Sequence, residues 1–167
     1  MTELWARIGS QLFPPTIHPM VVHFPIALLY LTTLFDFLAV VLPHRRSRTF
    51  HQVGLWLLSL GLVSLVAAAL AGIISESAAH FTPATRALLS VHQRDAFLTG
   101  LLASGAWIVQ VMTPFAPAAS KESWSLAGRG RVSWVVLALV ASATAMVSIT
   151  GSLGGTMVYG HGVGVGG

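Results

Sequence analysis

The chain has 167 residues, of which 54% are apolar and only 8% charged. A soluble domain carries about a quarter charged residues, so this composition excludes a water-facing globular fold and points to a membrane protein. Nine Lys and Arg against five acids make it basic, but the basic residues fall in connecting segments, where they report orientation in a bilayer rather than nucleic-acid binding. The lack of cysteine excludes disulfides, cysteine-ligated iron–sulfur clusters, zinc ribbons and thioether-linked haem, so any metal or haem must rely mainly on histidine and carboxylate.

Residues 1–15 show no basic segment followed by an apolar run and a small-residue cleavage site, so no cleaved signal peptide is expected. Four apolar runs follow, over about residues 20–42, 53–75, 96–113 and 132–150. Each is long enough, at about 1.5 Å per residue, to cross a hydrocarbon core of about 30 Å. The first stops at Pro43 and the third at Pro114. With a glycine-rich tail over residues 151–167, this predicts one integral-membrane domain over residues 1–167, an all-α, up-and-down four-helix bundle.

Loop charges give its orientation. The first loop carries Arg45, Arg46 and Arg48, and the third Lys121, Arg129 and Arg131 against Glu122 alone. The N-terminal segment balances Arg7 with Glu3, and the second loop balances Arg86 and Arg94 with Glu76 and Asp95. The positive-inside rule puts loops one and three in the cytoplasm and both termini outside.

That topology gathers His18, His23, His80, His92 and His161 at the outer end and leaves His44 and His51 at the inner end. The stretch from His18 to Ala27, His-Pro-Met-Val-Val-His-Phe-Pro-Ile-Ala, enters the bilayer with two histidines and two prolines. Helical backbone is interrupted near Pro25, which lacks an N–H, and the histidines there either form a site or sit at the headgroups. His92 lies on a helix whose start is signalled by Thr82-Pro83. Ala96 and Ala103 share its face, with Gly100 at the edge; such a stripe leaves room for a flat group or for close helix packing. Close packing accounts for the stripes Ser64, Ala68, Gly72 in the second span and Ala138, Ser142 or Ala141, Ala145 in the fourth. Glu76 and His80 meet if their helix continues that far. The tail is too glycine-rich to continue a stable helix; it either folds back, bringing Tyr159 and His161 to the cluster, or frays. Asp36 is the one acid inside a span, read either as a proton-relay group or as snorkelling toward Arg45–Arg48.

These residues resemble a family. The His18–Ala27 opening, the Gly72…Glu76 end of the second helix, His92 and the closing Gly-Gly-Thr-Met-Val-Tyr-Gly-His-Gly-Val-Gly-Val look like the bacterial membrane proteins catalogued as domain of unknown function 2231. The resemblance implies a four-span bacterial inner-membrane protein with histidines at corresponding places, here His18, His23, His92 and His161. Members are often joined to, or encoded beside, Rieske-type or c-type cytochrome domains; this chain carries neither, so such a centre would belong to a partner.

The expected function is that of a b-type haem protein with one haem near the outer side, exchanging electrons with a quinol or with a cytochrome c or Rieske-type partner. His23 and His92 are the expected axial pair. His18 and His161 would be the alternate pair or bond to the propionates, with Tyr159 and Gly100 lining the site. The alternatives are a single transition-metal ion held by His23, His92, His18 and His161 with Glu76, and a structural or assembly subunit of a larger membrane complex. No nucleophile–base or phosphate-loop pattern points to a stand-alone enzyme, and no inverted repeat to a transporter.

Overall fold

The computed structural model describes residues 17–42, 44–112 and 126–163. The expectations placed on residues 1–15, Pro43, Pro114, Lys121, Glu122 and Val165 lie outside these, as do those on the side chains of His44, Arg45, Arg129 and Arg131. The described chain is all-α, with no strand among the described residues: α1 (Ile17–Val21), α2 (His23–Val41), α3 (His44–Ala78), α4 (Pro83–Met112) and α5 (Leu126–Gly155), which runs into a π-helical turn, Thr156–Gly160. Four stretches are long and apolar enough to cross a membrane: Ile17–Val41, Arg46–Ser77, Pro83–Met112 and Trp134–Gly160.

The helices outrun the apolar segments that predict them. α3 has 35 residues, about 52 Å at 1.5 Å per residue, well beyond a bilayer core. Its first turns are polar but contain no helix breaker, so Arg46 and Arg48 ride on the helix rather than in a loop. What separates α2 from α3 is Leu42, extended at φ −88° and ψ 155°, the conformation that a following proline imposes. Ser47 Oγ donates to the Ala39 carbonyl at 2.6 Å and ties the two helices at this corner.

α4 starts as Thr82-Pro83 predicts. Thr82 Oγ1 accepts from the Thr85 N–H at 3.2 Å, and Thr85 Oγ1 accepts from the Thr82 N–H at 2.9 Å. Two otherwise unpaired donors are satisfied reciprocally, with threonine in the place usually taken by Glu or Gln. Thr82→Ala should therefore lower stability by about 1 kcal/mol, read as a lower melting temperature of the detergent-solubilised protein.

The glycines after Thr150 do not end α5, contrary to the sequence expectation; the helix continues through Gly151, Gly154 and Gly155. Backbone groups away from water have no better partner than one another, and two of these glycines abut side chains of neighbouring helices. The chain turns out only at Gly162, whose φ of +66° suits glycine.

α2 packs against α3 and α5, α4 against α5 and α3, and α1 against α3. The buried face of α2, Pro25, Leu29, Thr32, Asp36 and Ala39, recurs at helical spacing. With Leu58, Ala103, Ala106, Val136, Val140, Ala143 and Val147 it encloses a core of small and branched residues. Large apolar side chains face out, Phe24, Trp56, Phe97 and Trp134 among them, as a lipid solvent permits. The fourth-span stripe Ala138, Ala141, Ser142, Ala145 is exposed rather than packed, because Val136, Val140, Ala143 and Val147 are the residues α5 turns inward. Polar links cross the helices at Thr33–Thr144 (2.8 Å), Tyr30–Ser148 (2.8 Å) and Trp107 Nε1 to Ser59 Oγ (2.9 Å).

Candidate functional site

Two histidines from different helices meet where α1 enters the structure. His18 is in the first turn of α1, which is joined to α2 through Val22; the Val22 N–H donates to the His18 carbonyl at 3.1 Å. His92 is in the third turn of α4. Their ring centres are 6.1 Å apart and their planes cross at 79°.

Each ring is held in the same way. His18 Nδ1 lies 2.9 Å from the Ala68 carbonyl of α3, and His92 Nδ1 lies 2.9 Å from the Thr150 carbonyl of α5. A carbonyl can only accept, so both Nδ1 atoms carry hydrogen, and in each neutral imidazole Nε2 keeps its lone pair. The residue four positions beyond each carbonyl is glycine. A Cβ on Gly72 would come 3.2 Å from His18 Cε1, and one on Gly154 would come 3.4 Å from His92 Cε1. The glycines let each ring lie against the helix backbone beside the carbonyl it binds.

This is the preparation a metal-ligating histidine receives: one ring nitrogen fixed on a carbonyl, the other free to donate electrons. An imidazole centre lies about 1.1 Å from its ring nitrogen and metal–nitrogen bonds are about 2 Å, so two imidazoles on opposite sides of one ion have centres roughly 6–6.5 Å apart. The observed separation of 6.1 Å falls in that range, and it is also that of an edge-to-face contact between the two rings. A third protein ligand is not at hand: among the described residues no group of three or more His, Cys, Asp or Glu could hold a metal ion.

His23, expected opposite His92, is the first residue of α2 and its side chain is exposed; His80, Tyr159 and His161 are exposed as well. Gly100 is half-buried, with no atom within 4 Å of where its Cβ would stand. Glu76 does not meet His80, because α3 ends at Ala78; its Oε2 accepts instead from Gln93 Nε2 at 2.9 Å, next in the chain to His92. Sequence reasoning did not find the two carbonyl acceptors or the part played by Gly154. The one signal for them is a glycine in each of two helices that also faces a histidine, and it is visible only once the helices are paired.

No curated protein and no solved structure matches the chain. One family does match, over residues 14–167, and its description is that of a predicted membrane protein. Since the match runs through all four membrane-length helices and both histidines of the pair, the chain belongs to the DUF2231 family.

Proposed function

We propose that this protein binds one b-type haem with His18 and His92 as its axial ligands and serves as an electron-transfer component of a bacterial inner membrane. The observation that carries the reading is the pair itself: two perpendicular imidazoles at a bis-ligand separation, each with Nδ1 committed to a helix carbonyl. A porphyrin supplies four ligands of its own, so two histidines suffice, whereas a bare ion would need further ligands that the described residues do not bring together. Bound haem would supply one-electron chemistry. The chain's own contribution would be to orient the two imidazoles, to keep them neutral and to offer the open wall of α4 beside Gly100.

In this reading the helices form an up-and-down bundle with both termini outside the cytoplasm. Its support is the pattern of meetings: α1 and the start of α2 reach the later turns of α3 and α5, and the end of α2 reaches the start of α3. Arg46 and Arg48 mark the cytoplasmic end. His23, Tyr159 and His161 then form an exposed outer rim, where a quinol, a cytochrome c or Rieske-type protein, or a larger membrane complex would dock.

The test is a reduced-minus-oxidised visible spectrum of the full chain purified in detergent, with iron and other metals measured on the same sample. Sharp α and Soret bands with about one iron per chain are expected. Colourless protein carrying one copper or zinc would replace haem with a metal ion. Colourless, metal-free protein that stays so after addition of haemin would leave a structural subunit.

A further inference from the structure

At the other end of the helices, about 20 Å along α2 from His23, Asp36 is only 2% exposed. Its Oδ1 accepts a hydrogen bond from Gln110 Nε2 of α4 at 3.1 Å and lies against Gly54 of α3. Gln110 is 1% exposed, and its Nε2 also faces His51 Nδ1 at 3.3 Å and the His51 carbonyl at 3.5 Å. Both amide hydrogens are thereby engaged. Two oxygens remain, Asp36 Oδ2 and Gln110 Oε1, each fully buried and without a hydrogen-bond partner among the described residues.

Both orphans are acceptors, so the cluster is short of donors. A buried polar atom without a partner is costly, and an ionised carboxylate facing a single neutral N–H is more so. Among the described side chains no cation is seen to compensate. On α3 the titratable neighbour is His51, and Arg46 and Arg48 on the turn before it are exposed. α4 offers only the uncharged Gln110 on this side, and α5 carries no ionisable residue between Trp134 and Gly155. One hydrogen removes the deficit at both atoms. Placed on Oδ2 and donated to Oε1, it would complete an acid–amide pair with two hydrogen bonds. Turning the Gln110 amide over would set oxygen against oxygen at the 3.1 Å contact, so that arrangement needs the hydrogen as well.

We propose that Asp36 is a proton-binding site within the membrane, a carboxylic acid that donates to the Gln110 amide oxygen while accepting from its nitrogen. The site is independent of the histidine pair and stands whether or not haem is bound there. An intramembrane acid with a fixed partner is the form that proton-carrying groups take in membrane proteins, and through Gln110 this one is connected to half-buried His51.

The chain contains two aspartates, Asp36 and Asp95, and Asp95 is paired with Arg94 at 2.9 Å. Carboxyl-labelled aspartate in the full chain, reconstituted in lipid bilayers at neutral pH, should therefore give two carbon resonances, one of a carboxylic acid and one of a carboxylate. Asp36→Asn should remove the acid resonance and leave the other. Should Asp36→Asn fail to fold, Asp95→Asn makes the same assignment by removing the carboxylate. Gln110→Leu should shift the acid resonance. Two carboxylate resonances would overturn the proposal, with a sodium- or potassium-dependent shift at Asp36 indicating a cation site and no such shift an ionised, hydrated acid. An acid resonance unmoved by Gln110→Leu would overturn the pairing.

Discussion

His18→Ala and His92→Ala are each expected to abolish the haem spectrum, whereas His23→Ala and His161→Ala keep it. The contrast follows from where the side chains are. His18 and His92 lie edge to face, with ring centres 6.1 Å apart and Nδ1 engaged, while His23 and His161 are exposed. In the proposed haem site, removing either member of the pair would delete one of the two residues that would hold the iron, and the remaining imidazole would not suffice to keep the characteristic spectrum. Each substitution also loses one hydrogen bond to a carbonyl, worth about 1 kcal/mol, together with the stabilisation that bound haem would supply, so the melting temperature should fall as the spectrum is lost. Gly72→Val extends the test to the supporting backbone. Its side chain would occupy the space of His18 Cε1, only 3.2 Å from the Cβ position, and should weaken haem binding about 10–100-fold, as loss of an orienting contact does. A spectrum that survives His18→Ala but not His23→Ala would reverse the assignment of the axial ligand.

The second large effect is expected at Gly54. Gly→Ala within a helix ordinarily stabilises it by about 0.5–1 kcal/mol. At Gly54 the sign should invert, because a methyl group there would overlap the buried Asp36 carboxyl group. Asp36 is short, fully buried and held by Gln110, so it cannot swing aside without stranding more polar atoms. Overpacking of this kind costs about 1–3 kcal/mol, read as a lower melting temperature. Gly105 is the control: its Cβ position has no neighbour within 4 Å, and Gly105→Ala should be neutral or stabilising. In an Asp36→Ala background, Gly54→Ala should lose most of its effect, leaving a coupling of about 1 kcal/mol or more between the sites. Equal destabilisation in both backgrounds would mean that the Gly54–Asp36 contact is not the cause.

Residues that decide both effects differ in how far they could be read from the chain. His18 and His92 stand out in the sequence as costly groups beside apolar segments, but nothing in their spacing pairs them. His23 is the partner expected for His92; in the structure the break at Val22 leaves His18 on α1 against α3, and His23 is exposed at the start of α2. Asp36 was visible as the one acid within a span, yet its partner Gln110 lies 74 residues away and carries no charge to betray it. The glycines after Thr150 misled for the opposite reason. Glycine is a poor helix former in water, but here Gly154 is needed where the His92 ring meets the backbone.

The sequence by itself determined that the protein is helical and crosses a membrane, because 167 residues with 8% charge cannot cover a water-facing surface and apolar runs of membrane length must satisfy their backbone within a helix. Tertiary structure alone decided which histidines meet and which acid is sealed in. Lipid imposes no inward face on a helix, so periodicity does not reveal which side packs. That is settled where a missing Cβ admits a neighbour, at Gly54, Gly72 and Gly154.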